Sequence, residues 1–239
     1  MDRVGITETG EVAFNLDVFD RLEKANIIIT KRLSLGVIDR LIKNKEKIIL
    51  HLDCTGYGKT IVEPFVPPVS DTVESFKILI DHGFPIDHVV LRIDPVIPTE
   101  KGIGVARRVI ESFSGSGIKR LRFSVLDMYS HVKERFNKAG FPIPFITFHA
   151  PFEIRKEIYD LFKSYTEFEI ETCAEPGFPS TPCLSQKDLD ILGVNIKLEG
   201  SAEQRKTCGC PANKKELIVG KPHRCQHNCT YCFWKDETL

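Results

Sequence analysis

Six short apolar, β-branched runs recur along the chain at regular intervals, and this spacing constrains the fold more than any other feature. They are "NIIIT" (26–30), "KIILHLD" (47–53), "HVVLRID" (88–94), "RLRFSVLD" (120–127), "PFITFH" (144–149) and "FEIET" (168–172). Two weaker runs follow, "VNIKL" (194–198) and "ELIVG" (216–220). Helix-like segments fill the gaps: "SLGVIDRLIKN", "SDTVESFKILIDH", "GVARRVIESF", "YSHVKERFNKA" and "EIRKEIYDLFKSY". In the second of these, Ser70 or Asp71 offers an N-cap ahead of an apolar stripe at Val73, Phe76, Ile78 and Leu79. Strands alternating with helices imply a parallel sheet. Six to eight such units predict an α/β fold, a complete or partial TIM-like (β/α) barrel; an open doubly wound sheet shares the same local pattern.

At 239 residues the chain can bury one substantial core. The expected division is a barrel body over 1–200 and a cysteine-rich segment over 201–239 that completes the same domain. Lys+Arg and Asp+Glu both number 33, so no global field attracts nucleic acid or an anionic membrane. The local run "KRLR" (119–122) reads as a solvated edge. No apolar leader opens the chain and no stretch is long enough to span a bilayer, so the expected location is cytoplasmic, with no membrane partner.

Polar residues gather where the strands end. Lys31 and Arg32 follow the first; Asp53, Thr55 and Gly56 the second; Arg92 and Asp94 the third; Asp127, His149 and Glu171 with Cys173 the next three. In a barrel these positions share the face that carries active sites. Arg92, Asp94, His149 and Glu171 are therefore the candidate catalytic residues, expected to face cofactor or substrate. "GYGKT" (56–60) lacks the spacing of a phosphate loop and reads as a tight turn, with Thr55 and Gly56 placed to position a cofactor.

Eight cysteines in a reducing compartment point to metal or catalysis rather than to disulfides. Cys54 stands alone; the other seven lie in the last third. "HRCQHNCTYCFW" (223–234) spaces Cys225, Cys229 and Cys232 as C-x-x-x-C-x-x-C, with Tyr231 before the last. Three thiolates fall short of the four ligands a structural zinc needs, yet they can hold three corners of a [4Fe–4S] cluster and leave one iron open. The spacing, with its aromatic residue, is the signature of radical S-adenosylmethionine (SAM) enzymes. Their cluster passes one electron to SAM, whose cleavage starts radical chemistry on a substrate. Zinc is the competing metal, since His223, His227, Cys208 and Cys210 supply further ligands. The loop follows the last strand, whereas radical-SAM barrels carry it after the first. The expectation is a circularly permuted barrel, in which "NLDVFDRLEKA" (15–25) is a helix capped by Asn15 or Asp17 and replaces the one that should follow the cysteines.

The chain resembles the domain-of-unknown-function family eighteen forty-eight from about residue 26 to 234. The resemblance rests on "TGYG…EP" (55–64), "RIDPVIPT" (92–99), "FSVLDMY" (123–129), "CAEPG" with Cys183, "CGC" (208–210) and "CQHNCTYC". It departs in having "VLRIDP" and in lacking an N-terminal "SRRTD"-like segment. The resemblance implies a radical-SAM-like cluster at the C-terminus, with SAM and an electron donor such as flavodoxin or ferredoxin as partners. The family pattern also includes Cys173, Cys183, Cys208 and Cys210, enough thiolates for an auxiliary [4Fe–4S] cluster or for one zinc. Tyr231 is expected at the cofactor, and Tyr231 or Cys54 is a candidate hydrogen donor to a product radical. By analogy with spore photoproduct lyase, the substrate class is a nucleoside or nucleic-acid base. A zinc-stapled binding module and an iron–sulfur electron carrier are the alternatives.

Overall fold

The computed structural model describes residues 2–202, 207–220 and 225–234. Seven strands form one parallel sheet: β1 Val4–Ile6, β2 Asn26–Thr30, β3 Ile48–Asp53, β4 Val89–Val96, β5 Arg120–Val125, β6 Glu169–Thr172 and β7 Lys214–Glu216. Their order is β6-β5-β4-β3-β2-β1-β7, so the strand nearest the end of the chain lies beside β1. Helices α1 Leu35–Lys43, α2 Val69–Asp81, α3 Glu100–Phe113, α4 Ser130–Lys138, α5 Phe152–Lys163 and α6 Gln186–Ile191 supply the crossovers.

Successive strand residues face opposite sides of the sheet. Ile28, Leu50, Leu91 and Phe123 pack with Leu41 of α1, Phe76 of α2, Phe113 of α3, Phe136 of α4 and Phe162 of α5 in one core. On the other face, Val4, Ile6, Ile27, Ile49 and Val90 pack with Leu184, Leu189, Ile196 and three cysteines in a second core. Burial on both sides explains why the strands read as continuous apolar runs rather than as an alternation.

A complete barrel is not formed. Among the described residues no strand joins β6 to β7, and the sheet keeps both as edges. Two expected strands are missing. "PFITFH" lies in the connection between α4 and α5, where Pro142 and Pro144 remove two ladder donors. "VNIKL" is irregular; its backbone bonds the Asn213 side chain at Lys197 O (3.0 Å) while Ile196 fills the second core. The expected helix at 15–25 is only a 3₁₀ segment, Leu16–Asp20, with Arg21 turned to Leu217 O at 2.9 Å. α2 starts one residue before Ser70, with Pro68 as its N-cap. β1 went unread, being three residues long with glycine at its centre. "ELIVG" contributes only Glu216 to a strand, since β7, Lys214–Glu216, ends there. No helix among the described residues is long and apolar enough to cross a membrane.

The register aligns the chemistry. Asp53 pairs with Arg92, Arg92 with Arg122 and Arg122 with Glu171, a charged row across β3 to β6. "KRLR" is thus no solvated edge, for Arg120 and Arg122 are buried beneath the mouth of the sheet.

Candidate active site

A cavity of about 390 Å³ opens at the C-terminal ends of the strands. Arg92, Asp94 and Tyr231 line it, as do all seven of the clustered cysteines: Cys173, Cys183, Cys208, Cys210, Cys225, Cys229 and Cys232. Lys31, Asp53 and Asp127 join them from other strand ends. The chain leaving β1 adds Thr7 through Glu11, a contribution that sequence patterning missed together with the strand itself.

One wall is rich in carboxylates. Lys31 Nζ lies 2.5 Å from Asp53 Oδ2 and 3.2 Å from Glu63 Oε1. Glu63 also accepts from Thr55 Oγ1 at 2.6 Å and from the Tyr231 hydroxyl. Burial alone would pull Lys31 down, but Asp53 and Glu63 outweigh it and hold the ammonium well above its usual pKa. Burial pushes Asp53 up to about 6 despite the same lysine. Glu11, also raised by burial, accepts from Thr30 Oγ1, from Lys31 N at 2.9 Å and from Ala13 N at 3.1 Å. Glu11 carried no sequence signal, whereas Glu63 is the glutamate of the "TGYG…EP" stretch, whose role the spacing did not reveal.

The C-terminal cysteine loop closes over this wall. Thr230 N donates to Val62 O and Thr230 Oγ1 to Ile61 O, both at 2.9 Å. From α4, Arg135 Nε donates to Thr230 O at 2.9 Å, and a second guanidinium nitrogen reaches Cys232 O. Asn228 turns the loop in the left-handed region at φ 55°, where asparagine is among the better tolerated residues. His227 is buried; its Nε2 accepts from Arg32 Nε at 3.4 Å, and Nδ1 lies 3.5 Å from Glu11 Oε2. Burial brings its pKa down to about 3, so the ring is neutral near pH 7. His227 lines the cavity beside Cys225, Cys229 and Cys232; His223 lies outside the described residues.

The opposite wall is rich in arginines. Arg92 Nε, at 2.9 Å, and Nη2 both donate to Asp94 Oδ2, and Ser124 Oγ donates to Asp94 Oδ1. Arg92 Nη1 also lies 3.4 Å from Cys183 Sγ, and Nη2 lies 4.0 Å from Cys173 Sγ. Glu171 does not line the cavity. It sits below, taking Arg120 Nε at 2.8 Å and Arg122 Nε at 2.9 Å, while Arg120 Nη1 holds Asp188 Oδ1 at 2.7 Å. Burial would raise Glu171, but Arg122 and Arg120 keep it below its usual pKa.

Four other candidates lie off the cavity. His149 Nδ1 pairs with Asp127 Oδ1 at 2.7 Å and reaches the cavity only through that carboxylate. Thr55 acts from behind Glu63. Gly56 sits at φ 86°, and a β-carbon there would lie 2.5 Å from Val105 Cγ1, so its glycine serves packing on α3 and not the approach of a ligand. Cys54 is buried and its thiol is pushed up to about 12.

Residues 22–234 match the family described as "Domain of unknown function (DUF1848)", and the chain belongs to it. None of the curated proteins matches the chain.

Proposed function

We propose that the cavity is the active site of a radical-SAM-type iron–sulfur enzyme, with Cys225, Cys229 and Cys232 as the ligands of a [4Fe–4S] cluster. The observation that carries this reading is the placement of these three thiols, from a loop remote in sequence, on the wall of the cavity ringed by strand-end charges. The donor set fits: three thiolates suit three irons and leave the fourth for the amino and carboxylate groups of SAM. Bound there, cluster and SAM would supply one-electron cleavage of SAM and a radical able to take hydrogen from a substrate.

The strand order supports a permuted barrel. Read from β7, it runs β7-β1-β2-β3-β4-β5-β6, so the cysteine loop follows the first strand of the row, the place it holds in radical-SAM barrels. The chain's own groups have separable tasks. Arg92 fixes Asp94 so that its carboxylate faces the cavity. Asp127, steadied by His149, offers a second acceptor for hydroxyl or amino groups. Lys31 keeps a positive charge at the wall, and Tyr231 holds its hydroxyl proton toward Glu63. Tyr129, Phe233 and Trp234 line the rim and exclude water; Tyr129 and Phe233 stack with ring centroids 5.7 Å apart. Such a rim suits a planar ring and supports a nucleoside or base as substrate class.

The test is anaerobic purification with iron, sulfide and zinc quantified, then dithionite and SAM with 5′-deoxyadenosine assayed. Nucleoside release that disappears in Cys229→Ser is the expected result. Iron without SAM cleavage would identify an electron carrier, and zinc in the loop without iron a structural staple; either overturns the proposal.

A further inference from the structure

The four thiols outside the C-terminal loop come from the two places where the sheet stops. Cys173 is the first residue after edge strand β6, and Cys183 follows on the same departing chain; Cys208 and Cys210 lie on the chain that enters edge strand β7. No ladder joins these edges among the described residues, yet the four cysteines converge on the cavity between them. Cys173 Sγ and Cys183 Sγ are 3.9 Å apart, and the Cys183 amide donates to Cys210 Sγ at 3.3 Å. A Glu8 carboxylate oxygen, Cys183 Sγ and Cys210 Sγ all lie within 4.8 Å of one another. Thr207 Oγ1 ties the two chains together by donating to Ala174 O at 2.7 Å.

We infer that Cys173, Cys183, Cys208 and Cys210 bind a single soft divalent cation of the zinc class, and that this ion is a clasp across the open seam of the sheet. The sulfur spacing favours one ion over a cluster. Four thiolates about 2.3 Å from one zinc form a tetrahedron whose edges are about 3.8 Å, and Cys173 and Cys183 already stand at that separation. A four-iron cube takes one thiolate on each of four different irons and so spreads its sulfurs further apart.

The surroundings suit an anionic centre. A divalent ion with four thiolates carries a net charge of about −2. Arg92 points two guanidinium nitrogens at Cys183 and Cys173, and the Cys183 amide points at Cys210. Arg122, close enough to the same two sulfurs to interact electrostatically, has a buried Nη1 with no hydrogen-bond partner among the described residues. Glu8 is held by Lys214 at 2.7 Å, which leaves the sulfurs as the ligands and a cation beside them. Hydrogen bonds from N–H groups to ligating atoms are the usual outer shell of such a centre. Thiolate binding releases protons and closes a site that neither edge strand completes alone, so the metal's binding energy becomes stability of the closed sheet.

This inference does not need SAM chemistry, and its test separates the two. The Cys225→Ser/Cys229→Ser/Cys232→Ser variant is purified as the full chain and analysed for zinc, iron and sulfide. One zinc per chain is expected, with no iron. Replacement by cobalt should give the intense thiolate-to-cobalt absorption of a tetrahedral site. Adding Cys208→Ser, a substitution at the least buried of the four thiols, should remove the metal and that absorption. Should the triple variant not fold, the wild-type chain carries the same reading: one zinc per chain beside whatever iron the loop binds. Iron with sulfide remaining in the triple variant, or about eight irons and no zinc in the wild type, overturns the single-ion centre. Absence of any metal from the triple variant overturns the site altogether.

Discussion

The two walls of the cavity manage charge in opposite ways. Around the cysteine loop, Asp53 and Glu63 share the Lys31 ammonium while Glu11 takes the Lys31 backbone amide, so carboxylates outnumber the cation beside them. Beneath the other wall, Arg92, Arg120 and Arg122 face Asp94, Glu171 and Asp188, and each of these carboxylates meets a guanidinium. The first arrangement leaves Asp53 titrating at about 6, within reach of a neutral medium. The second holds Glu171 ionised below its usual range. Proton exchange therefore belongs to the Lys31–Asp53 side, whereas the arginine side is a fixed electrostatic floor.

The largest test of this contrast is Glu171→Ala. It strips both buried arginines of a shared partner, and breaking such a pair costs about 3–5 kcal/mol. Urea unfolding should show this loss; a change below about 1 kcal/mol would mean that the arginines find other partners and that the floor is not fixed.

Asp53 gives the next effect, with a definite sign. Its folded pKa lies above the unfolded value of 3.8, so the folded state holds the proton more tightly. The stability this adds is fully present below pH 3.8 and is lost as pH rises through about 6. The shift corresponds to about 2–3 kcal/mol, and Asp53→Asn should flatten that part of the stability–pH curve. An unchanged slope in the variant would assign the titration elsewhere on the wall. Tyr231→Phe should give the smallest effect, about 1 kcal/mol for one hydroxyl bond to a carboxylate that keeps Thr55 and Lys31. Its iron content should equal that of the wild type; loss of iron would make Tyr231 part of the ligand shell.

How far the sequence revealed these walls depends on where each residue sits. β2 to β6 were legible because burial on both faces demands long β-branched runs. The cysteines were legible because ligation by one centre imposes spacing. Of the strand-end residues singled out in the sequence, Arg92 and Asp94 line the cavity, whereas Glu171 does not. The strand-end rule gives a residue's height in the sheet, and Glu171 shares a row with Arg92 and Asp53, but its carboxylate is taken up by Arg120 and Arg122 below the cavity. "KRLR" misled for the same reason, since a buried guanidinium needs a partner on another strand that no local pattern reveals. The partners of Glu63 and Glu11 were invisible because Tyr231 and Lys31 are distant in the chain, although Glu63 itself stands in "TGYG…EP".

The pairing of β1 with β7 also sets a timetable. Val4 can meet Lys214 only after the ribosome has released nearly every strand between them. Such long-range contacts form late, because loop closure must precede any gain from them. β2 to β5 can associate earlier, through neighbours close in sequence. The thiols of the C-terminal loop thus arrive at a nearly finished basin, and the filling of that basin comes among the last steps of folding.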